Sequence, residues 1–148
     1  MGCYKERKIF RAVGLKGFGF FDDYGKEVPK LAQQLLTRKK EIQNTSNIEI
    51  GIFEPKRDAD HLEGHYFVGL LVNESVKEVP IGMEYIEREQ DYVSTRGDIQ
   101  KLDILHQHLL EWANEHGYQR DLTSDIIETY HPTTNGGEEV EVYLPIYV

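Results

Sequence analysis

The sequence predicts an α+β domain in which a strand–helix–strand–strand unit occurs twice, with a mainly antiparallel sheet and one helix per half. Two observations lead to this prediction. Apolar residues alternate with a period of two in six short segments, as in strands, and recur every three or four residues in two longer segments, as in helices. The order of these segments in the first half of the chain is repeated in the second half at nearly constant offsets.

The first unit begins with a strand over residues 5–14, which Gly17 and Gly19 are expected to end. A helix follows over residues 28–43, because apolar residues recur there at intervals of three and four and Pro29 suits a first helical turn. Strands over residues 48–54 and 65–73 complete the unit. This half therefore supplies three strands and one helix that can cover one of their faces, while the other face stays open.

The second unit repeats this order after a short linker at residues 77–80. A strand over residues 83–95 precedes a helix for which Asp98 is a suitable N-cap and Gly117 a suitable C-terminal stop. Strands over residues 124–131 and 139–146 follow, separated by the turn-forming pair Asn135-Gly136. We therefore expect one domain over residues 1–148, with related halves at about 1–76 and 77–148 and a concave, ligand-sized groove where the halves join.

The composition favours an intracellular globular protein over a nucleic-acid-binding or membrane protein. The 148 residues include 17 Lys and Arg against 26 Asp and Glu, a formal net charge of −9, whereas binding to phosphate backbones needs a basic face. Cys3 is the only cysteine, which excludes an internal disulfide and fits a reducing compartment. No long apolar run or secretion signal is evident, so we expect a cytoplasmic location and no membrane partner.

The last two predicted strands contain the strongest candidates for a binding site. Because side chains alternate along a strand, Glu128 and Tyr130 share one face, and Glu141 and Tyr143 share one face. If the strands pair across the Asn-Gly turn, Glu128, Tyr130 and Tyr143 can line a single concave surface. This arrangement would place a carboxylate between aromatic rings.

These strands resemble the closing strands of GyrI-like small-molecule-binding domains, which also serve as effector-binding modules of several bacterial transcription activators. The resemblance covers the C-terminal half in sequence and the N-terminal half in architecture. Its segments, in chain order, are Pro80-Ile81-Gly82-Met83, Tyr92-Val93, Arg96-Gly97, His116-Gly117-Tyr118, Glu128-Thr129-Tyr130 and Val140-Glu141-Val142-Tyr143-Leu144-Pro145.

The resemblance implies a pocket in which a carboxylate on the floor meets cationic, lipophilic ligands. That role would belong to Glu128, with Tyr130 and Tyr143 as walls. Trp112 is a further candidate, although its position on the apolar face of a helix also suits the core. From the first half, strand position alone suggests two more wall residues, Phe53 and Tyr66.

Three functions remain open at this point. The first is a stand-alone small-molecule binder that acts in sensing or sequestration. The second is a hydrolase of reactive electrophiles, in which Glu128 would be the general base and Tyr130 or Tyr143 would orient the substrate. The third is a protein–protein binder like a gyrase inhibitor. A protein partner or a homodimer is compatible with each of them.

No cofactor or metal is expected. His61 and His65 flank Glu63 at a spacing that suits zinc on a helix, but Gly64 and the strand pattern that follows argue against a helix there. His106 and His108 are two residues apart on the second helix, point to different sides, and are expected to lie on the surface.

Overall fold

The computed structural model describes residues 2–147 and has the order of helices and strands that the sequence predicts. The first unit comprises β1 (Cys3–Phe20), α1 (Tyr24–Leu36), β2 (Thr45–Phe53) and β3 (Glu63–Val72). The second comprises β4 (Glu84–Asp98), α2 (Leu102–Glu115), β5 (Ile126–Pro132) and β6 (Glu138–Pro145). The prediction of an α+β fold made of two strand–helix–strand–strand units is confirmed.

All paired strands are antiparallel, and the sheet closes into a small barrel in the order β1-β3-β2-β5-β6-β4, with β4 returning to β1. The two halves meet at two seams, β2 with β5 and β1 with β4. At the first seam, Gly51 pairs with Glu128 and Glu49 with Tyr130. This seam is therefore a place where both halves can contribute side chains to one site.

Strand alternation divides the apolar residues between the interior of the closed sheet and its outer face, which the helices cover. The interior cluster contains Phe10, Ala12, Ile50, Ile52, Phe67, Ile86, Tyr92, Ile127 and Tyr143. The outer clusters include Val13, Leu35 and Val68 at α1, and Leu105, Leu109, Val140, Val142 and Leu144 at α2. The sheet face without helices, which was expected to stay open, is thus buried because the sheet closes on itself.

β1 continues through Gly17 and Gly19, so the prediction that these glycines end the strand was wrong. A Cβ on Gly14 would lie 2.0 Å from the carbonyl oxygen of Val68, and a Cβ on Gly17 would lie 2.2 Å from a ring carbon of Tyr66. Glycine inside a strand often marks such a close approach. At these two positions, the glycines therefore make room for β3 instead of forming a turn.

α1 begins earlier and ends earlier than the predicted range of residues 28–43. Pro29 lies inside the helix, not in its first turn. Beyond Leu36, a 3-10 turn at Lys39–Glu41 leads to Ile42, which is buried in the cluster at α1. The burial of Ile42 explains why the apolar periodicity extends past the end of the helix.

Candidate functional site

A cavity of about 580 Å³ lies between α1 and α2, above the seam where β2 meets β5. This volume is typical of small-molecule sites. The apolar part of its lining comes from both halves and includes Val28, Pro29, Ala32, Leu35, Ile50, Phe53, Val68, Ile99, Leu102 and Ile126. A groove where the halves join is therefore present, and it lies on the side of the sheet that the helices cover.

The Glu128 carboxylate forms part of the cavity floor, and its side chain is only 8% exposed. The Tyr130 hydroxyl donates a hydrogen bond of 2.7 Å to Oε1, and Nε2 of His106 lies 2.7 Å from Oε2. A buried carboxylate is costly unless it is hydrogen-bonded or paired. Both oxygens of Glu128 therefore have a partner from the protein itself.

The local fold explains why these three side chains meet. Glu128 pairs with Val142 and Tyr130 with Val140, and both valines pack in the cluster at α2. Glu128 and Tyr130 consequently lie on the outer face of the sheet, where α2 brings His106 over them. Burial and the charge of Glu128 raise the pKa of Tyr130 well above its usual value, so its hydroxyl stays protonated and remains a donor.

Carboxylates dominate the charge of the cavity. Besides Glu128, the lining includes Glu49 from β2, Asp103 from α2 and Glu138 from β6. No Lys or Arg side chain within residues 2–147 lines this cavity. Burial and the nearby charge of Glu138 raise the pKa of Glu49, while Lys39 acts in the opposite direction. A cavity whose charged lining residues are mainly acidic attracts cations.

Aromatic rings close the cavity near the N-terminus of α1. Tyr24 packs against Phe53 with ring centroids 6.2 Å apart and against Tyr66 with centroids 5.0 Å apart. The Tyr24 hydroxyl donates to the backbone carbonyl of His65 at 3.0 Å, and burial raises the pKa of Tyr24 to about 12. Phe53 lines the cavity, whereas Tyr66 lies behind Tyr24 and lines a different cavity at one end of the closed sheet.

Tyr143 lies on the opposite face of the sheet from Glu128, so the expectation that the two line one concave surface was wrong. Its ring packs against Phe10 in the interior cluster, with centroids 4.9 Å apart, and its hydroxyl donates to Glu141. The reason is the register of β5 and β6, which places Val142 opposite Glu128. A shift of one residue changes the face on which every side chain lies.

Trp112 is outside the set of residues that line the cavity. Its ring stacks on His116 and Tyr118 near the C-terminal end of α2, with centroids 4.3 and 5.8 Å away. The same residue packs against the buried cluster at α2. Its position agrees with the alternative interpretation of Trp112 as part of the core.

His106 contacts Glu128, so the expectation that it lies on the surface was wrong. It follows Leu102 by four residues, and residues at this spacing are neighbours on one face of a helix. Leu102 also lines the cavity, so this spacing was the available signal. For Glu49 and Glu138 no comparable signal exists, because a carboxylate on a strand has the same pattern whether it faces a cavity or solvent.

Within residues 2–147, no group of three or more His, Cys, Asp and Glu side chains is arranged to hold a metal ion. The region of His61 and His65 is instead organised around Glu54, which accepts hydrogen bonds from Arg57 and from the backbone N–H of His65. Nε2 of His61 lies 3.0 Å from the Glu54 carboxylate.

No helix in the described part of the chain is long and apolar enough to span a bilayer.

Comparison with solved structures identifies proteins of the same fold. SAV2435, solved bound to tetraphenylphosphonium, superposes with a TM-score of 0.71 at 10% identity, covering 99% of this chain and 94% of that one. The C-terminal domain of EcmrR gives a TM-score of 0.63 at 14% identity and covers 99% of each chain. A hydrolase from Listeria innocua encoded by lin2189 gives 0.56 at 14% identity, covering 97% of this chain and 91% of that one.

Comparisons with protein-family models and with curated protein sequences gave no match. At 10–14% identity, the structural similarity establishes the fold alone. The similarity extends over nearly the whole chain and includes both units. The chain therefore has the GyrI-like fold, in agreement with the resemblance of its closing strands to those of GyrI-like domains.

Proposed function

We propose that this protein binds small lipophilic aromatic molecules, with a preference for cations, in the cavity between α1 and α2, and that it acts in sensing or sequestration. The observation that carries the proposal is the buried carboxylate of Glu128 on the floor of a largely apolar cavity lined by acidic but not by Lys or Arg side chains in the described part of the chain.

The energetics of such a cavity favour large organic cations. Burial of apolar ligand surface against the apolar walls contributes about 25 cal/mol to the free energy of binding for each Å². The faces of Tyr24 and Tyr130 can add cation–π attraction of about 0.5–2 kcal/mol each. A cation also offsets part of the cost of keeping Glu128 ionised away from water. A neutral molecule of equal size would gain the first contribution and lack the other two.

One structural similarity supports the proposed ligand and another the proposed role in sensing. SAV2435 was solved with tetraphenylphosphonium, which is a lipophilic aromatic cation. EcmrR has a domain of this fold at its C-terminus and was solved in complex with DNA, which agrees with a role of such domains in sensing. By analogy, the present chain would receive a comparable ligand between its helices.

The test is thermal unfolding in the presence of tetraphenylphosphonium or of triphenylphosphine oxide, a neutral aromatic probe. A ligand at one hundred times its dissociation constant adds about 2.7 kcal/mol to the free energy of unfolding. We expect this stabilisation with the cation and a smaller one with the neutral probe. Glu128→Gln should lower the effect of the cation selectively, because the amide keeps the shape of the side chain without its charge.

Glu141→Gln is the matched control. Glu141, like Glu128, accepts a hydrogen bond from a tyrosine two residues later, but it lies on the other face of the sheet. If both variants lose cation binding equally, the effect is not specific to the cavity and the assignment of Glu128 fails. If the wild-type protein shows no shift with either probe, the proposal fails and binding to another protein becomes the better reading.

Site occupancy can be tested independently by filling the cavity. Ala32 lines the cavity from α1, while its neighbour Gln33 is exposed on the same helix. Ala32→Trp should abolish stabilisation by tetraphenylphosphonium, and Gln33→Trp should retain it. Equal binding by the two variants would mean that the ligand occupies another place.

Hydrolysis is the second candidate, because Tyr130 and His106 hold the Glu128 carboxylate in a defined orientation inside the cavity. With an epoxide as substrate, Glu128 would take a proton from water while the water oxygen bonds to a ring carbon and the carbon–oxygen bond of the ring breaks. The ring oxygen that is released then takes up the proton. The similarity to the Listeria innocua hydrolase agrees with this reading. Conversion of styrene oxide to its diol by the wild-type protein, lost in Glu128→Gln, would support it; no conversion above buffer would exclude it for epoxides.

A further inference from the structure

The contact between His106 and Glu128 has the geometry of an ion pair. When Glu128 is ionised it can only accept, so Nε2 of His106 is then the donor in this 2.7 Å contact. Distances of about 2.7–2.9 Å are typical of hydrogen bonds between a charged nitrogen donor and a carboxylate. The His106 side chain is 26% exposed, so its ring can exchange protons with solvent while it contacts the buried carboxylate.

His106 shares the cavity lining with several acidic groups. Asp103 lies one turn earlier on α2. From the other elements that line the cavity, the titratable residues are Tyr24 of α1, Glu49 of β2, Glu128 and Tyr130 of β5, and Glu138 of β6. Of the cavity-lining residues in the range 2–147, His106 is the one with a basic side chain. A protonated His106 therefore supplies the positive charge next to Glu128 that a cationic ligand would otherwise supply.

We propose that His106 is the counter-ion of Glu128 in the ligand-free protein and that a cationic ligand binds in exchange for the proton of its imidazole ring. This inference rests on the proposed function, since it specifies how the same cavity selects for charge. It makes His106 a specificity-determining residue: the protonated form opposes cations, and the neutral form admits them.

The exchange links affinity to pH with a defined sign. Imidazole groups titrate between about pH 5 and 8. Where His106 is protonated in the free protein and neutral in the complex, one proton is released per cation bound, and affinity rises by up to about tenfold per pH unit. Where His106 is already neutral, the dependence ends and affinity reaches a plateau. A neutral ligand does not compete with the imidazolium charge and should show little dependence on pH.

Isothermal titration calorimetry with tetraphenylphosphonium tests this inference between pH 5.5 and 8.0. Measurement in two buffers of different ionisation enthalpy gives the number of protons released. For the wild-type protein we expect proton release at low pH and an affinity that rises towards a plateau. His106→Gln keeps an uncharged donor for Glu128, so it should bind with the plateau affinity throughout and release no proton.

Two controls separate the possible outcomes. Unchanged affinity of His106→Gln for triphenylphosphine oxide would show that its cavity is intact. Glu49→Gln removes another acidic group of the cavity lining, whose pKa is raised by burial and by the charge of Glu138, and it should keep the slope of the wild-type protein. A wild-type affinity that is independent of pH, or a slope that persists in His106→Gln, would overturn the role of His106. No binding of tetraphenylphosphonium at any pH would instead contradict the proposed function itself.

Discussion

Replacement of Tyr130 by phenylalanine tests whether Glu128 is a buried, ionised carboxylate that depends on its protein donors. The change removes one hydroxyl and leaves the aromatic ring in place. The lost hydrogen bond is 2.7 Å long and ends on a carboxylate whose side chain is 8% exposed. At this low exposure, water has limited access to replace the hydroxyl, so Oε1 of Glu128 would lose its protein donor.

The expected loss follows from the charge of the acceptor. Hydrogen bonds to charged groups contribute about 1.5–3 kcal/mol, and an unsatisfied buried charged group costs at least as much. We therefore expect Tyr130→Phe to lower the free energy of unfolding by about 1.5–3 kcal/mol at neutral pH. Urea denaturation measures this value, and an unchanged m-value would show that the folded state remains compact.

The chain contains a matched control for this measurement. The Tyr85 hydroxyl also donates to a glutamate two residues away, Glu87, at 2.7 Å, but the Glu87 side chain is 44% exposed. Tyr85→Phe should change stability by less than about 0.5 kcal/mol, because water replaces the lost donor. Equal losses in the two variants would refute the reasoning, since burial of Glu128 would then contribute nothing. Saturating tetraphenylphosphonium should reduce the loss in Tyr130→Phe, because the cation supplies a new partner for Glu128.

Two further predictions concern the closed sheet and its tyrosines. Gly14→Ala should destabilise the protein by about 3 kcal/mol in urea denaturation, because its Cβ would lie 2.0 Å from the backbone oxygen of Val68. Gly19→Ala in the same strand is the control, since no atom lies within 4 Å of the added Cβ. It should lower the free energy of unfolding by less than about 1 kcal/mol, mostly through a change in β propensity. Stability should also fall as pH rises above about 10, since tyrosines with raised pKa keep their protons in the folded state while the unfolded chain loses them. Absorbance of phenolate at 295 nm should show these groups ionising only together with unfolding, and their titration near pH 10 in the folded protein would contradict their burial. The most strongly shifted are Tyr24, Tyr92, Tyr130 and Tyr143.

Most of the secondary structure follows from local patterns. The period-two alternation in β6 and the spacing of the leucines in α2 reflect the burial of one face of each element, which is a property of each segment alone. Gly117 has a positive φ of 76°, as a glycine at a helix C-terminus should. The errors occurred where a distant segment intervenes. The local pattern at Gly17 indicates a strand end, because its contact with Tyr66, far along the chain, leaves no trace in that pattern.

The candidate site likewise combines features that a single segment determines with features that depend on distant segments. Glu128 and Tyr130 were placed on one face correctly, because alternation within a single strand is local. Whether Tyr143 joins them depends on how β5 and β6 align, and the observed register turns it to the interior. His106 comes from another element altogether, and its contact with Glu128 requires that α2 cross the sheet at this point.

Periodicity, glycine and proline positions and the repeated order of segments are therefore enough to establish the element order, the two units and the carboxylate–tyrosine pair. They cannot give the closure of the sheet, the side on which the cavity lies or the partners of Glu128. Those features arise from register and from packing between segments that are far apart in the chain. A change of one residue in register reverses every side chain of a strand without altering its local pattern.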